Sequence, residues 1–254
     1  MKNKGIIVNN AYLQFNYNAL VGTAPVGYFN PSFYHFLRIE VIQDGSTIDT
    51  LYGNGTFILN NILFYDEDRL SLNNAAGNYA STAQRGLLSS ATTTNTFYIP
   101  LRTHLNQSKM HLLNDTDGIQ LRVYMDTLAN IFTLSSGTLT SCAFNSCNLI
   151  LDITHIDQEE HQNRIVDMSK YNHHYIFHST SYFPATIPTS VSSATLILAL
   201  IVGNVAGLLF TLRPSSGTNP LILKNAFKYT QISSFHLLDA MSTSLCGGQP
   251  IPAA

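Results

Sequence analysis

The chain has 254 residues, enough for one large all-β domain or two compact ones. Lys+Arg number 13 and Asp+Glu 15, so only 11% of residues are charged, less than half of the roughly 25% usual in a soluble domain, and much of the surface must be neutral. A net charge of −2 supplies no broad positive field to gather phosphates, which excludes nucleic-acid binding as the main role, and 45% apolar residues exclude a wholly disordered chain.

In chain order, MKNKG is followed by IIVNNAYLQFNYNAL, whose asparagines interrupt the apolar core that a signal peptide needs, so no export signal is expected. Ala11 to Tyr17 alternates as a strand, with Leu13 and Phe15 on one face and Gln14 and Asn16 on the other. Phe36 to Gln43 repeats the pattern with Leu37, Ile39 and Val41 against Arg38 and Glu40. Asp44-Gly45 then predicts a tight hairpin turn, because both residues tolerate positive φ, and Thr47 to Tyr52 returns as the second strand.

Leu59 to Leu72 has apolar residues near helical intervals and predicts a short surface helix or a loop. Asn73 to Asn95, rich in Ala, Ser, Thr, Gly and Asn, reads as a long loop. Strand character returns at Thr96 to Leu101, Gly118 to Met125, Ile131 to Leu134 and Asn148 to His155, with Pro100 marking an edge or a strand end. Asp157 to Tyr171 has the highest charge density, in an acid-first, base-later order that predicts a short helix at the junction of two β units. Thr195 to Leu212 is uncharged over about 18 residues, the short limit for a membrane span. Its central Gly203-Asn204 and its lack of flanking Lys/Arg clusters favour two buried strands over a spanning helix. About ten to twelve short strands joined by long loops make the fold class all-β, in the manner of sandwiches and jelly rolls.

Little in the chain points to chemistry. His155, His161, His173, His174 and His178, with Asp152 or Asp157, invite a metal hypothesis. The segment around His174 and His178 is β-prone, however, and positions four apart in a strand lie about 13 Å from each other, too far to share one ion, so no metal site is expected. Cys142 and Cys147 lack zinc-knuckle spacing, and with Cys246 they make an odd count suited to a reducing compartment. The acidic cluster Asp66, Glu67, Asp68 lacks the glycine and second acidic set of a calcium loop. With no nucleophile elbow, phosphate loop or zinc-protease motif, the expectation is a protein with no enzymatic activity, no catalytic residue and no cofactor.

Four stretches, in order, resemble the double jelly-roll major capsid proteins of large DNA viruses of eukaryotes and of related tailless viruses. Tyr34 to Asp49 (YHFLRIEVIQDGSTID) is similar to the family's early strand and hairpin, and Phe97 to Met125 to its "IPLPFWF…LPLIALQYHEV" segment, with Arg102, Thr103 and His104 standing where aromatics are expected. Asn148 to Phe177 resembles the strand and short helix that lead from the first jelly roll to the second; Asp157, Glu159, Glu160, Arg164 and Tyr175-Ile176 keep part of that pattern. Ala194 to Pro214 stands where a further β-rich strand follows.

The resemblance implies two jelly-roll units, residues 1–167 and 168–254. Little more than 80 residues follow the junction helix, so the second unit is either compact or incomplete. It also implies a structural capsid protein of the virion, made in the host cytoplasm, forming homotrimeric capsomers of an icosahedral shell beside neighbouring capsomers and minor capsid proteins. Sequence-specific nucleic-acid binding and membrane contact are not expected. The low charge fits such a role, since close subunit packing desolvates unpaired ions at a cost that neutral Asn, Ser and Thr avoid. The same composition would suit a carbohydrate-binding jelly roll, and a membrane-associated viral protein is the third reading.

Overall fold

A computed structural model of the chain describes residues 6–53, 55–56, 66–77, 88–89, 95–103 and 119–170, with isolated positions at 181, 193–195, 234–235 and 251–252. In chain order the elements are β1 (Ile6–Phe29), a 3-10 turn (Ser32–Tyr34), β2 (Phe36–Gln43), β3 (Ser46–Tyr52), α1 (Asp66–Ala75), β4 (Leu88–Ser89), β5 (Asn95–Pro100), β6 (Ile119–Met125), α2 (Leu128–Ile131), β7 (Phe132–His155), α3 (Gln158–Lys170), β8 (Ser234–Phe235) and β9 (Ile251–Pro252). The chain divides into two compact units, Met1–Gly203 and Asn204–Ala254, and β8 pairs with β9 in the second.

The first unit is all-β and antiparallel. In one sheet β1 pairs with β4 and β5 on one side and with β7 on the other; in the second, β2 lies between β3 and β6. The alternation read at Ala11 to Tyr17 sets which face each residue takes. Ile6, Val8, Ala11, Leu13, Phe15, Tyr17 and Leu20 are buried toward the second sheet, while Gln14 and Asn16 between them point outward. From the second sheet Phe36, Ile39 and Leu51 enter the same core, with Leu121 and Val123 of β6 packed on it. Val8 meets Val41 in a smaller cluster lined by Ile119, Leu121, Leu151 and Ile153.

The hairpin forms as its turn chemistry dictates, with Asp44 at φ 49° and Gly45 at φ 78°. Pro100 is the last residue of β5, where its missing N–H costs no interior ladder bond. α1 starts on the acidic cluster, and α3 coincides with the charged junction segment. Asp157 Oδ1 accepts from the Glu160 N–H at 2.8 Å and so caps the start of α3, and Arg164 pairs with Glu160 one turn back.

The expectation of separate strands at Ile131 to Leu134 and Asn148 to His155 needs correction. Both belong to the single 24-residue β7, which runs along β1 from Phe29↔Phe132 to Ile6↔His155. The intervening SSGTLTSCAFNSC has weak strand propensity, and the ladder to β1 supplies what propensity lacks. Thr195 to Leu212 and the strand read at Leu221 to Leu238 fall almost wholly outside the described residues. Among the described residues, no helix is long and apolar enough to cross a membrane.

Candidate functional site

Among the described residues, those that carried the metal hypothesis are not brought together. His155 ends β7 and His161 lies on α3, while His173, His174 and His178 fall outside the described residues. Asp152 accepts from Asn10 Nδ2 at 3.1 Å, and Asp157 caps α3, so both carboxylates have local structural partners. Among the described residues, no group of three or more His, Cys, Asp and Glu could hold a metal ion. Cys142 and Cys147 are free thiols on β7, and burial pushes both upward, Cys142 to about 11. Such thiols are poor nucleophiles at neutral pH.

The chain does build a buried polar cluster that the sequence did not announce. Where β1 ends, the Asn30 N–H donates to Ile131 O at 2.9 Å. Its Nδ2 donates to Asn130 O at 3.0 Å, and its Oδ1 accepts from Thr133 Oγ1 at 2.8 Å. His35 Nε2 stands 2.7 Å from Asn30 O, and its Nδ1 stands 3.1 Å from the Tyr17 hydroxyl. A carbonyl only accepts, so Nε2 carries a proton. The imidazole is walled by aromatic rings, meeting Tyr17 and Phe97 edge-on at 5.4 and 5.1 Å and lying 6.4 and 6.1 Å from Phe15 and Phe29. Burial first, and then the Cys142 and Cys147 sulfurs, hold the Tyr17 phenol far above its ordinary range, so it stays a protonated donor. The signal available in the sequence was a histidine inside the aromatic run SFYHF, directly after Asn30-Pro31.

The second feature is a surface. Residues directly opposite in an antiparallel pair share a face, so Leu149 opposite Leu13, Cys147 opposite Phe15 and Phe144 opposite Tyr17 all lie on the core side of β7. Leu13, Phe15 and Tyr17 are 2%, 0% and 2% exposed, yet Phe144 and Leu149 are 43% and 42% exposed. Leu151 and Ile153 further along are half-buried beside Val8 and Val41, and Leu139 and Cys142 pack on the main core, so Phe144 and Leu149 lie exposed between two partly covered stretches of β7.

The outward face of the same sheet is hydrogen-bonded across three strands by uncharged side chains. Gln14 Nε2 donates to the Tyr98 hydroxyl at 2.8 Å, Asn148 Nδ2 to Gln14 Oε1 at 2.9 Å, Asn16 Nδ2 to Ser146 Oγ at 2.6 Å, and Thr96 Oγ1 to Asn16 Oδ1 at 2.8 Å. On the second sheet Arg38 Nε pairs with Glu40 at 2.8 Å, and its guanidinium lies 4.0 Å over the Tyr124 ring. Partial desolvation opposes ionisation of Glu40, but hydrogen bonds from Arg38 and Tyr124 outweigh it and hold the carboxyl below its usual range. These are surface devices of sheet stability, with no convergent reactive groups.

No protein-family model matches the chain, and no curated protein matches it significantly in sequence. Solved structures do resemble it. One is a quasi-atomic model of the PBCV-1 virus capsid, 14% identical over 64% of this chain and 38% of that one, at a TM-score of 0.45. Another is PBCV-1 VP54 fitted into a reconstruction of the virophage Sputnik, 15% identical over 63% of this chain and 38% of that one, at a TM-score of 0.44. The chain thus spans well under half the length of these capsid chains.

Proposed function

We propose that the protein is a structural subunit of a viral capsid, assembling as homotrimeric capsomers, with no catalytic role. The observation that carries this reading is the exposed apolar pair Phe144 and Leu149 on β7. They are 43% and 42% exposed on the core side of the strand. A solvated strand would place polar residues there; an assembling one places apolar residues that a neighbouring subunit covers. The four ordered sequence stretches of capsid type support the same reading, as does the low charge of the chain.

Native mass spectrometry of the full chain, paired with a glycan array, tests this. A trimer that binds no glycan is the expected result. A stable monomer with specific, saturable glycan binding would replace the capsid reading with that of a carbohydrate-binding jelly roll.

A further inference from the structure

We propose that charge orients the contact between copies of the chain: Arg122, on the outer face of the second sheet of one subunit, pairs with Glu159 on α3 of the next. The inference rests on the trimeric reading above and gives it named residues. A closed ring of three identical chains needs two different, mutually complementary surfaces on each chain, since the patch that one subunit presents is met by another patch of its neighbour. With only 11% of residues charged, opposite charges left over on two separate elements are a specific feature of this chain.

The positive partner is left over by its own sheet. Register places Arg122 of β6 opposite Glu40 of β2, and Tyr124 opposite Arg38. Both oxygens of Glu40 already accept: Oε1 from Arg38 Nε at 2.8 Å, and Oε2 from the Tyr124 hydroxyl at 3.1 Å. Arg122 Nη1 stands 3.8 Å from the same Oε2, beyond hydrogen-bond length. Its side chain is 59% exposed, against 14% for Glu40. Two guanidiniums thus share one carboxylate, and the cluster keeps an excess positive charge whose more exposed member is Arg122. Arginine suits a contact between proteins, because its planar fork can pair with a carboxylate through two bonds and is less strongly hydrated than an ammonium.

The negative partner is left over by its helix. Asp157 caps α3, Glu160 pairs with Arg164, and Asp167 lies three positions from both Arg164 and Lys170. Glu159 is exposed and is followed at three and four positions by Gln162 and Asn163, so no Lys or Arg stands one turn further on. Within its own chain Arg122 makes its ion pair with Glu40 and not with α3. A second copy that brings α3 to the sheet satisfies both charges at once, and such complementarity fixes which way the copies meet.

Sedimentation velocity of the full chain over a concentration series tests this with Arg122→Glu, Glu159→Lys and the two together, with circular dichroism on each. The contact occurs three times in a ring, so either reversal should raise the concentration of half-assembly at least roughly tenfold, and the double exchange should recover most of the loss. Should Arg122→Glu not fold beside Glu40, Arg122→Gln and Glu159→Gln form the equivalent double-mutant cycle, in which the second change adds little to the loss caused by the first. A wild-type trimer that is indifferent to either change or weakened by only one of them, or a double exchange no better than the single variants, would overturn this pairing and leave the capsid reading standing. A wild type that stays monomeric at every concentration would overturn both.

Discussion

At the scale of single residues, the consequential groups are those whose chemistry is altered by burial. Tyr17→Phe keeps the ring in its aromatic neighbourhood but removes the proton that faces His35 Nδ1. It should cost about 1–3 kcal/mol, the penalty of leaving a buried acceptor unsatisfied, read as a lower urea midpoint with unchanged slope. Cys142 offers an independent check on the same wall. With its thiol pushed up to about 11, only about one molecule in a thousand is thiolate at pH 8, so iodoacetamide should label it more than tenfold more slowly in folded protein than in urea. Equal rates would mean that the thiol is not shielded. The role of His35 was only faintly legible in the sequence, as a histidine within the aromatic run SFYHF. His35 is one of nine histidines, and the partners that fix its role, Tyr17 and Asn30, are placed by the fold and not by any motif.

At the scale of elements, two glycines share a backbone conformation and differ in surroundings. Gly45 and Gly137 both have φ 78°. A Cβ on Gly45 would meet nothing within 4 Å, whereas one on Gly137 would stand 2.1 Å from Ala24 O across the β1–β7 ladder. Gly45→Ala should therefore cost about 1 kcal/mol, the penalty of a left-handed alanine alone. Gly137→Ala should cost more, about 2–4 kcal/mol, because the collision is with backbone that cannot rotate away. Thermal unfolding of the two variants side by side checks the order, and equal losses would contradict the register of β1 on β7. The contrast also explains which elements the sequence disclosed. Phe36 to Gln43, Asp44-Gly45 and the charged helix carry local signals strong enough to show the elements, although the irregularity between Phe36 and Arg38 leaves Leu37, read as facing with Ile39 and Val41, exposed and buries Phe36 instead. The middle of β7 does not, since its Ser, Thr, Asn and Cys residues become strand only through a partner more than a hundred positions away.

At the scale of the whole molecule, the proposed capsid role joins the low charge to the exposed apolar residues of β7. A chain that packs against its copies keeps ions away from its contacts and leaves apolar area for a neighbour to cover. Fold class was readable because alternation and turn residues recur along the chain; the exposure of Phe144 and Leu149 was not, because nothing in their local sequence shows which apolar side chains of β7 stay uncovered. The most direct test of the central claim is sedimentation velocity of the full chain, wild type beside Leu149→Lys, with circular dichroism on both. The wild type should sediment as a trimer and the variant as a monomer, with the β spectrum unchanged. A wild type that remains monomeric at every concentration, or a variant that assembles equally well, would contradict it.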